Sequence, residues 1–123
     1  MKEYRFDIDP VAKPRQTRSD IWKDPPRPAV SKYRDFADTL RLLALKNGYS
    51  ALDTLDVLFV IPFPKSYGKK KMEALNGRPH QVKPDVDNLV KAVLDIFLKN
   101  DSSVWKINAE KRWGYEGKII ITQ

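Results

Sequence analysis

The chain has 123 residues, 23 of them Lys or Arg and 16 Asp or Glu, so its formal net charge at pH 7 is +7. This length is typical of one domain, and a content of 41% hydrophobic residues is enough for one buried core and excludes wholesale disorder. The absence of cysteine and the presence of one histidine exclude disulfide frameworks, thiolate zinc sites, cysteine nucleophiles and a multi-histidine metal site within one chain.

The sequence has no segment typical of membrane insertion or secretion. No apolar run approaches the roughly 20 residues that cross a membrane, and the N-terminus has no apolar signal-peptide core. We therefore expect an intracellular protein. Its positive charge favours a polyanionic partner, nucleic acid before an anionic membrane surface.

The N-terminal half is predicted to form a strand, a basic loop and a helix. Alternating apolar and polar residues predict a half-buried strand over residues 4–8. Residues 9–30 contain five of the nine prolines, which remove backbone donors and predict an irregular basic loop. Apolar residues at i, i+3, i+4 and i+7 predict a helix over residues 31–47, with Ser31 as its N-cap and Gly48 at its end.

The C-terminal half is predicted to alternate between strands and helices. The expected elements are a central strand over 55–61, a basic loop over 65–83, a helix over about 87–99, and strands over 104–113 and 118–122 joined at 114–117 as a hairpin. This order indicates one α/β (α+β) domain over residues 1–123: a mixed sheet with two main helices, basic loops and a C-terminal hairpin.

Carboxylates at the start of the second main helix are candidates for a metal site. Asp87, Lys91 and Asp95 are spaced by four residues, opposite the apolar face, which is also typical of a solvated stripe of ion pairs worth a few tenths of a kcal/mol each. Asp85 and Asp87 flank Val86, and such close carboxylates repel each other unless a cation or proton lies between them. Carboxylates suit Mg²⁺ or Mn²⁺, although acids at a helix N-terminus also gain from the helix dipole.

Residues 83–95, Lys-Pro-Asp-Val-Asp-Asn-Leu-Val-Lys-Ala-Val-Leu-Asp, resemble the signature of the RusA-type Holliday junction resolvases. These are small homodimeric endonucleases, often encoded by phages and prophages. The basic segment from Pro64 to Lys71, the segment Lys13-Pro14-Arg15 and the residues after the helix are also similar, so the likeness covers about residues 5 to 122. The resemblance implies branched DNA as substrate, a homodimer, and a cytoplasmic location in a bacterial cell or a phage-infected bacterium.

The resemblance also implies roles for particular residues. Asp85, Asp87 and Asp101 match the acids that bind the catalytic metal, and Lys91 matches a lysine that contacts the scissile phosphate or the developing charge. The stretch before Asp101 is about four residues shorter than usual in the family, and Asn100 stands where many members have a further Asp. Asp95 is the alternative third ligand. A surface salt bridge is the structural interpretation of Lys91.

Basic side chains in the two predicted loops are candidate DNA contacts. They are Lys13, Arg15, Arg18, Lys65, Lys69, Lys70, Lys71 and Lys83. Phosphate contacts by such residues release counterions, so we expect DNA binding to weaken steeply with salt. A charged loop that serves only solubility is the other interpretation of these lysines.

Four ring-bearing residues have open interpretations. Trp22, Tyr67 and Trp105 could stack on unpaired bases, although packing is the commoner role of aromatic residues. His80, in the predicted basic loop, could be a general base, a DNA contact or a spectator.

The sequence thus predicts a Mg²⁺-dependent endodeoxyribonuclease, with Mn²⁺ as an alternative ion, that resolves four-way junctions by paired symmetric nicks during recombination and repair. Two nicks related by two-fold symmetry require two identical sites, which a C₂ dimer presents. One alternative is a non-enzymatic basic protein that binds junctions by shape and backbone. Another is a nuclease that acts on flaps or forks.

Overall fold

The structure is a computed structural model, and it describes residues 1–15 and 26–123 as helices packed on a four-stranded mixed sheet. In chain order the elements are β1 (Glu3–Phe6), α1 (Pro28–Asn47), β2 (Thr54–Pro62), α2 (Lys69–Leu75), α3 (Val86–Phe97), a 3₁₀ turn (Asp101–Ser103), β3 (Lys106–Gly114) and β4 (Lys118–Thr122). No helix in this described part of the chain is long and apolar enough to cross a membrane. The predicted α+β class with a mixed sheet is confirmed.

The strands are ordered β1-β4-β2-β3, so the predicted central strand is indeed central. β3 runs parallel to β2, and β4 runs antiparallel to both β2 and β1. Parallel neighbours cannot be joined by a tight turn. The crossover from β2 to β3 therefore contains α2 and α3, and the candidate carboxylates lie within it.

One face of the sheet carries the core. Side chains that alternate along the strands, such as Phe6, Val57 and Phe59, pack against Leu40 of α1 and Leu89 of α3. All five are at most 1% exposed. We call this the helix-covered face. The alternate residues of the strands form the open face and are exposed or half-buried, apart from the buried Gly114.

The predicted C-terminal hairpin is wrong. β2 lies between β3 and β4, so the two consecutive strands do not pair with each other. The glycine that ends β3 and the glycine before β4 allow close packing instead: a Cβ at Gly114 would lie 2.3 Å from Cγ1 of Val60, and one at Gly117 would lie 2.0 Å from Oδ1 of Asp9. The turn residues correctly indicate a change of direction, but they carry no information about which strand β4 joins.

Two other predicted boundaries need correction, and two predicted residues lie outside the part of the chain that the structure describes. α1 begins at Pro28 after Arg27 rather than at Ser31, because Pro is well suited to the first helical position, where no N–H is needed. The predicted loop over 65–83 contains the short helix α2. Arg18 and Trp22 lie outside the described residues.

We predict that Gly48→Ala lowers the free energy of unfolding by about 1 kcal/mol. Gly48 ends α1 in the left-handed region at φ 68°, which strains any residue with a Cβ, while nothing lies within 4 Å of a Cβ built there. Gly68→Ala is the matched control, since Gly68 has φ −76° and equally open space. Urea unfolding of both variants measures the difference, and equal losses of stability would contradict the prediction.

Candidate functional site

Asp85 and Asp87 lie at the start of α3, and their carboxylates engage no other described side chain. Asp85 is the N-cap residue, yet its side chain accepts no capping hydrogen bond, and Asp87 is in the first turn. Both residues are exposed, and neither forms a salt bridge or side-chain hydrogen bond with another described residue. An N-cap Asp usually accepts a hydrogen bond from a nearby backbone N–H. A capping hydrogen bond therefore does not account for the Asp85 side chain, and the helix dipole is the structural interpretation that is left for the two acids.

The apolar face of α3 fixes the direction in which these carboxylates lie. Leu89, Val93 and Ile96 are buried against the sheet. At 100° per residue this places Asp87 and Lys91 on the outer side of the helix. The site is thus presented to solvent from a helix that is anchored in the core.

Lys111 of β3 holds the segment that leads into Asp85. Its ammonium group donates to the carbonyl oxygens of Val82 (2.5 Å) and Pro84 (2.6 Å). The Lys83–Pro84 peptide bond within this segment is cis. Lys111 is half-buried, and no sequence pattern distinguishes it from the many other lysines of the chain. Only the pairing of β3 with β2 places it beneath the approach to the site.

The chain before this segment runs along the outer edge of β3. Gly77 donates to the carbonyl of Trp113 at 2.9 Å, Trp113 donates to that of Arg78 at 2.9 Å, and His80 donates to that of Lys111 at 3.0 Å. These bonds cover the C-terminal half of the edge strand. The residues from Gly77 to Asp85 are therefore aligned by β3.

The N-terminal basic segment packs against the outer side of α3. The backbone N–H of Lys13 donates to the carbonyl of Asn88 at 3.3 Å, and its ammonium group pairs with Asp95. The hydrogen bond with Asp95 is the main cause that raises the pKa of Lys13, and the negative charges of Asp95 and Asp101 add to it. Asp95 therefore pairs across the fold with Lys13 rather than along the helix with Lys91.

Lys91 has no ion-pair partner in the described chain, so the salt-bridge interpretation is wrong for this residue. It lines an open cavity of about 380 Å³ together with Lys13, Arg15 and Asn88. Asn88 also lines a second cavity, of about 440 Å³, with Lys83, Pro84 and Asp85. The two cavities bring the carboxylate Asp85 and four basic side chains, Lys13, Arg15, Lys83 and Lys91, to the surface around Asn88.

Asp101 lies beyond the other end of α3, in the 3₁₀ turn. A 12-residue helix is about 18 Å long, so most of this length separates Asp101 from Asp85 along the chain. Over residues 1–15 and 26–123, no group of three His, Cys, Asp or Glu side chains is placed to hold a metal ion. The structure therefore presents Asp85 and Asp87 together, and it does not gather Asp101 with them.

The remaining predicted DNA contacts lie on and before α2. Lys65, Lys69 and Lys70 are exposed, whereas the ammonium group of Lys71 lies 3.8 Å from the centre of the Tyr67 ring. Tyr67 itself is half-buried against Phe63 and Trp113, which supports the packing interpretation for this ring. Trp105 is 70% exposed, and its indole N–H donates to Asp53 at 3.1 Å.

His80 is a buried residue rather than part of an exposed basic loop. It is 4% exposed, and its ring centre lies 4.2 Å from that of Trp113. Its Nδ1 atom has no hydrogen-bond partner among the described residues. Burial lowers the pKa of His80, and the positive charge of Lys111 lowers it further. These surroundings favour a neutral packed ring and exclude a direct contact between His80 and DNA in this conformation.

We predict that stability falls as the pH is lowered through about 6.5, the ordinary pKa of histidine. Because the pKa of His80 is lower in the folded chain, the unfolded chain binds a proton at a higher pH than the folded chain does. The free energy of unfolding therefore decreases as the pH falls below about 6.5. One titrating group limits the slope to about 1.4 kcal/mol per pH unit. Urea unfolding between pH 7.5 and 5.5 measures the slope.

His80→Gln should flatten this dependence, because His80 is the single histidine of the chain. An unchanged slope in the variant would assign the effect to other groups.

The fold and the site together define a class: a small α+β domain with two carboxylates that pair with no described residue and lie between basic segments, as expected of an enzyme acting on a polyanion. A comparison with protein families matches residues 7–122 to the family described as Endodeoxyribonuclease RusA. The chain therefore belongs to the RusA endodeoxyribonuclease family, and membership implies endodeoxyribonuclease activity.

One curated relative is the "Uncharacterized protein YqaN" of Bacillus subtilis (strain 168), which is 36% identical over 107 residues, covering 76% of this chain and 73% of the relative. No solved structure matches the chain.

Proposed function

We propose that the protein is a metal-dependent endodeoxyribonuclease that resolves four-way DNA junctions by paired symmetric nicks during recombination and repair. The observation that carries this proposal is the pair Asp85 and Asp87, whose carboxylates engage no other described residue. Asp85 lines one of the two cavities that expose Lys13, Arg15, Lys83 and Lys91, and Asp87 follows it in the first turn of α3. In a protein that only binds DNA, two negative charges at this place would weaken binding, because they repel phosphates.

Mg²⁺ is the proposed cofactor, and Mn²⁺ would serve the same ligands. Oxygen donors suit such hard ions, and Asp85 and Asp87 supply carboxylates that no described side chain occupies. We propose Asp101 as the third ligand, to be tested separately because it lies beyond the opposite end of α3. When bound, the metal supplies an activated water and stabilises the leaving oxygen of the phosphodiester.

The chain's own cations have separate proposed roles. Lys91 lies one helical turn after Asp87 and has no ion-pair partner in the part of the chain that the structure describes, so its charge is free to stabilise the scissile phosphate as negative charge develops. Lys13 is held against Asp95, which fixes the segment carrying Arg15 beside α3. Arg15, Arg18, Lys65, Lys69, Lys70, Lys71 and Lys83 are proposed to contact the DNA backbone along with Lys13.

Symmetric cleavage also requires a second site, so we propose a homodimer with C₂ symmetry. Since the substrate is DNA, the proposed place of action is the cytoplasm of a bacterial cell or of a phage-infected bacterium.

The test is cleavage of a labelled synthetic four-way junction, with a linear duplex and a flap beside it, in Mg²⁺ and in EDTA. Paired nicks confined to the junction and to Mg²⁺ are the expected result. Preferred cleavage of the flap would identify a flap or fork nuclease, and binding without nicks in both Mg²⁺ and Mn²⁺ would identify a non-enzymatic junction binder.

A further inference from the structure

Among the residues that the structure describes, none pairs with the outer edge of the N-terminal half of β3. The segment from Gly77 to His80 covers the outer side of residues 111–113, but no described backbone group bonds to the outer side of residues 106–110. Four of these five residues are exposed, and Ala109 is half-buried. Such an edge presents unsatisfied N–H and C=O groups in a row, which is a template for another strand.

Large apolar side chains lie at the same edge. Trp105, directly before β3, is 70% exposed. Ile107 is 48% exposed, although it belongs to the side of the strand that elsewhere faces the core. The opposite sheet edge, β1, has only four residues, and none of its apolar side chains is exposed. Of the two edges, β3 is therefore the one with both free backbone groups and uncovered apolar area.

The sequence of the free window is complementary to itself. Residues 106–110 read Lys-Ile-Asn-Ala-Glu, with Asn108 at the centre. If two copies pair antiparallel about Asn108, Lys106 faces Glu110 of the partner subunit, and this opposite-charge pair occurs twice. If the two-fold axis is moved by one residue from Asn108, Lys106 and Glu110 of the two copies no longer face each other. The paired residues are then also no longer centred on the free segment 106–110.

Such a pairing would place compatible side chains opposite each other on both faces of the sheet. On the open face, the two charge pairs flank Asn108 and can share Glu110 with Arg112, which contacts it at 3.1 Å within the chain. On the helix-covered face, Ile107 would pack beside Ala109 of the partner subunit and diagonally beside Ile107 of the partner subunit. Pairing therefore removes exposed apolar area while it adds backbone hydrogen bonds.

We propose that residues 106–110 form the dimer interface, by antiparallel pairing of β3 with β3 of a second copy about Asn108. The proposal rests on the proposed function only for the expectation of a homodimer; the surface is assigned from the free edge, its exposed side chains and its charge order. The result is one continuous eight-stranded sheet with the two catalytic sites related by the two-fold axis.

The test is sedimentation velocity of the full chain over a range of concentrations. The wild type should sediment at twice the chain mass of 14.2 kDa. Lys106→Glu places two negative charges opposite each other at two places in the interface. It should raise the dissociation constant of the dimer at least tenfold. The double exchange Lys106→Glu with Glu110→Lys restores opposite charges and should restore the dimer.

Arg5→Glu is the matched control, because it reverses a charge on the open face at the other sheet edge. Thermal melting of each variant checks that it is folded. A monomeric wild type, a dimer unaffected by Lys106→Glu, a failure of the double exchange to restore it, or a dimer lost in Arg5→Glu would overturn the interface.

Sedimentation does not depend on cleavage, so the two proposals can fail separately. A monomer that nicks DNA would refute the interface alone. A dimer with the expected variant pattern but no nuclease activity would refute the proposed function alone.

Discussion

Asp85→Asn should reduce the rate of junction cleavage at least about 100-fold while junction binding is retained or tightened. The amide keeps the size of the side chain but removes the charge that the proposed metal requires, and it also removes a repulsion toward the DNA phosphates. Because Asp85 is exposed and makes no cap hydrogen bond, the substitution should leave the fold intact. Single-turnover cleavage and a gel-shift titration in Ca²⁺ measure the two effects independently. Asp87→Asn should behave in the same way.

Asp35→Asn is the matched control, since it removes one exposed carboxylate from α1 and should change neither quantity. Loss of junction binding in a folded Asp85→Asn variant would contradict the metal-site role. Asp101→Asn tests the third ligand: a loss as large as that of Asp85→Asn places Asp101 in the catalytic set. Wild-type cleavage by Asp101→Asn would limit the set to the pair.

Local sequence patterns predicted most of the helices and strands, because the spacing of apolar residues indicates which side chains are buried. The apolar periodicity of α1 and α3 and the apolar run of β2 correspond to the side chains that form the core. Gly48 ends α1 as expected, since its backbone conformation is set locally. What a residue contributes to its own turn or face could be determined from the sequence.

Long-range pairing could not be determined in this way. The turn after Gly114 suggested a hairpin, but β4 pairs with β2 and β1, where Ile119 and Ile121 become fully buried. For the same reason the i, i+4 spacing of Lys91 and Asp95 suggested an ion pair that the approach of Lys13 replaces. In each case a partner distant in sequence competes with the local one, and only the fold decides between them.

For Asp101, the role that the family resemblance implies and the position in the fold do not agree. The resemblance assigns this residue to the same ligand set as Asp85, while the fold places α3 between them. Asp85 and Asp87 occupy neighbouring positions at one helix end, so they keep their relation to each other in any packing. The position of a ligand from a separate turn, such as Asp101, relative to this pair depends on how the whole chain folds.

Lys111→Met is expected to lower the cleavage rate about 10- to 100-fold without weakening junction binding, as is typical for the loss of a group that orients a metal ligand. Methionine keeps the apolar stem but removes the ammonium group that donates to the carbonyls of Val82 and Pro84, directly before Asp85. The approach to the site would then lose its attachment to β3. Lys111→Arg keeps the charge and should recover part of the rate.

Hydrogen exchange distinguishes this positioning role from general destabilisation. In Lys111→Met, backbone amides from Val82 to Asp87 should exchange faster, while those of β2 remain protected, since the sheet pairing of β3 does not depend on the side chain. Lys118→Met is the matched control, a half-buried lysine on β4 whose open-face side chain does not contact this segment. Uniformly faster exchange with a lowered melting temperature would show that Lys111 supports the whole fold. Unchanged exchange and unchanged cleavage would show that the path from β3 to Asp85 is held by the backbone bonds of Gly77 to His80 alone.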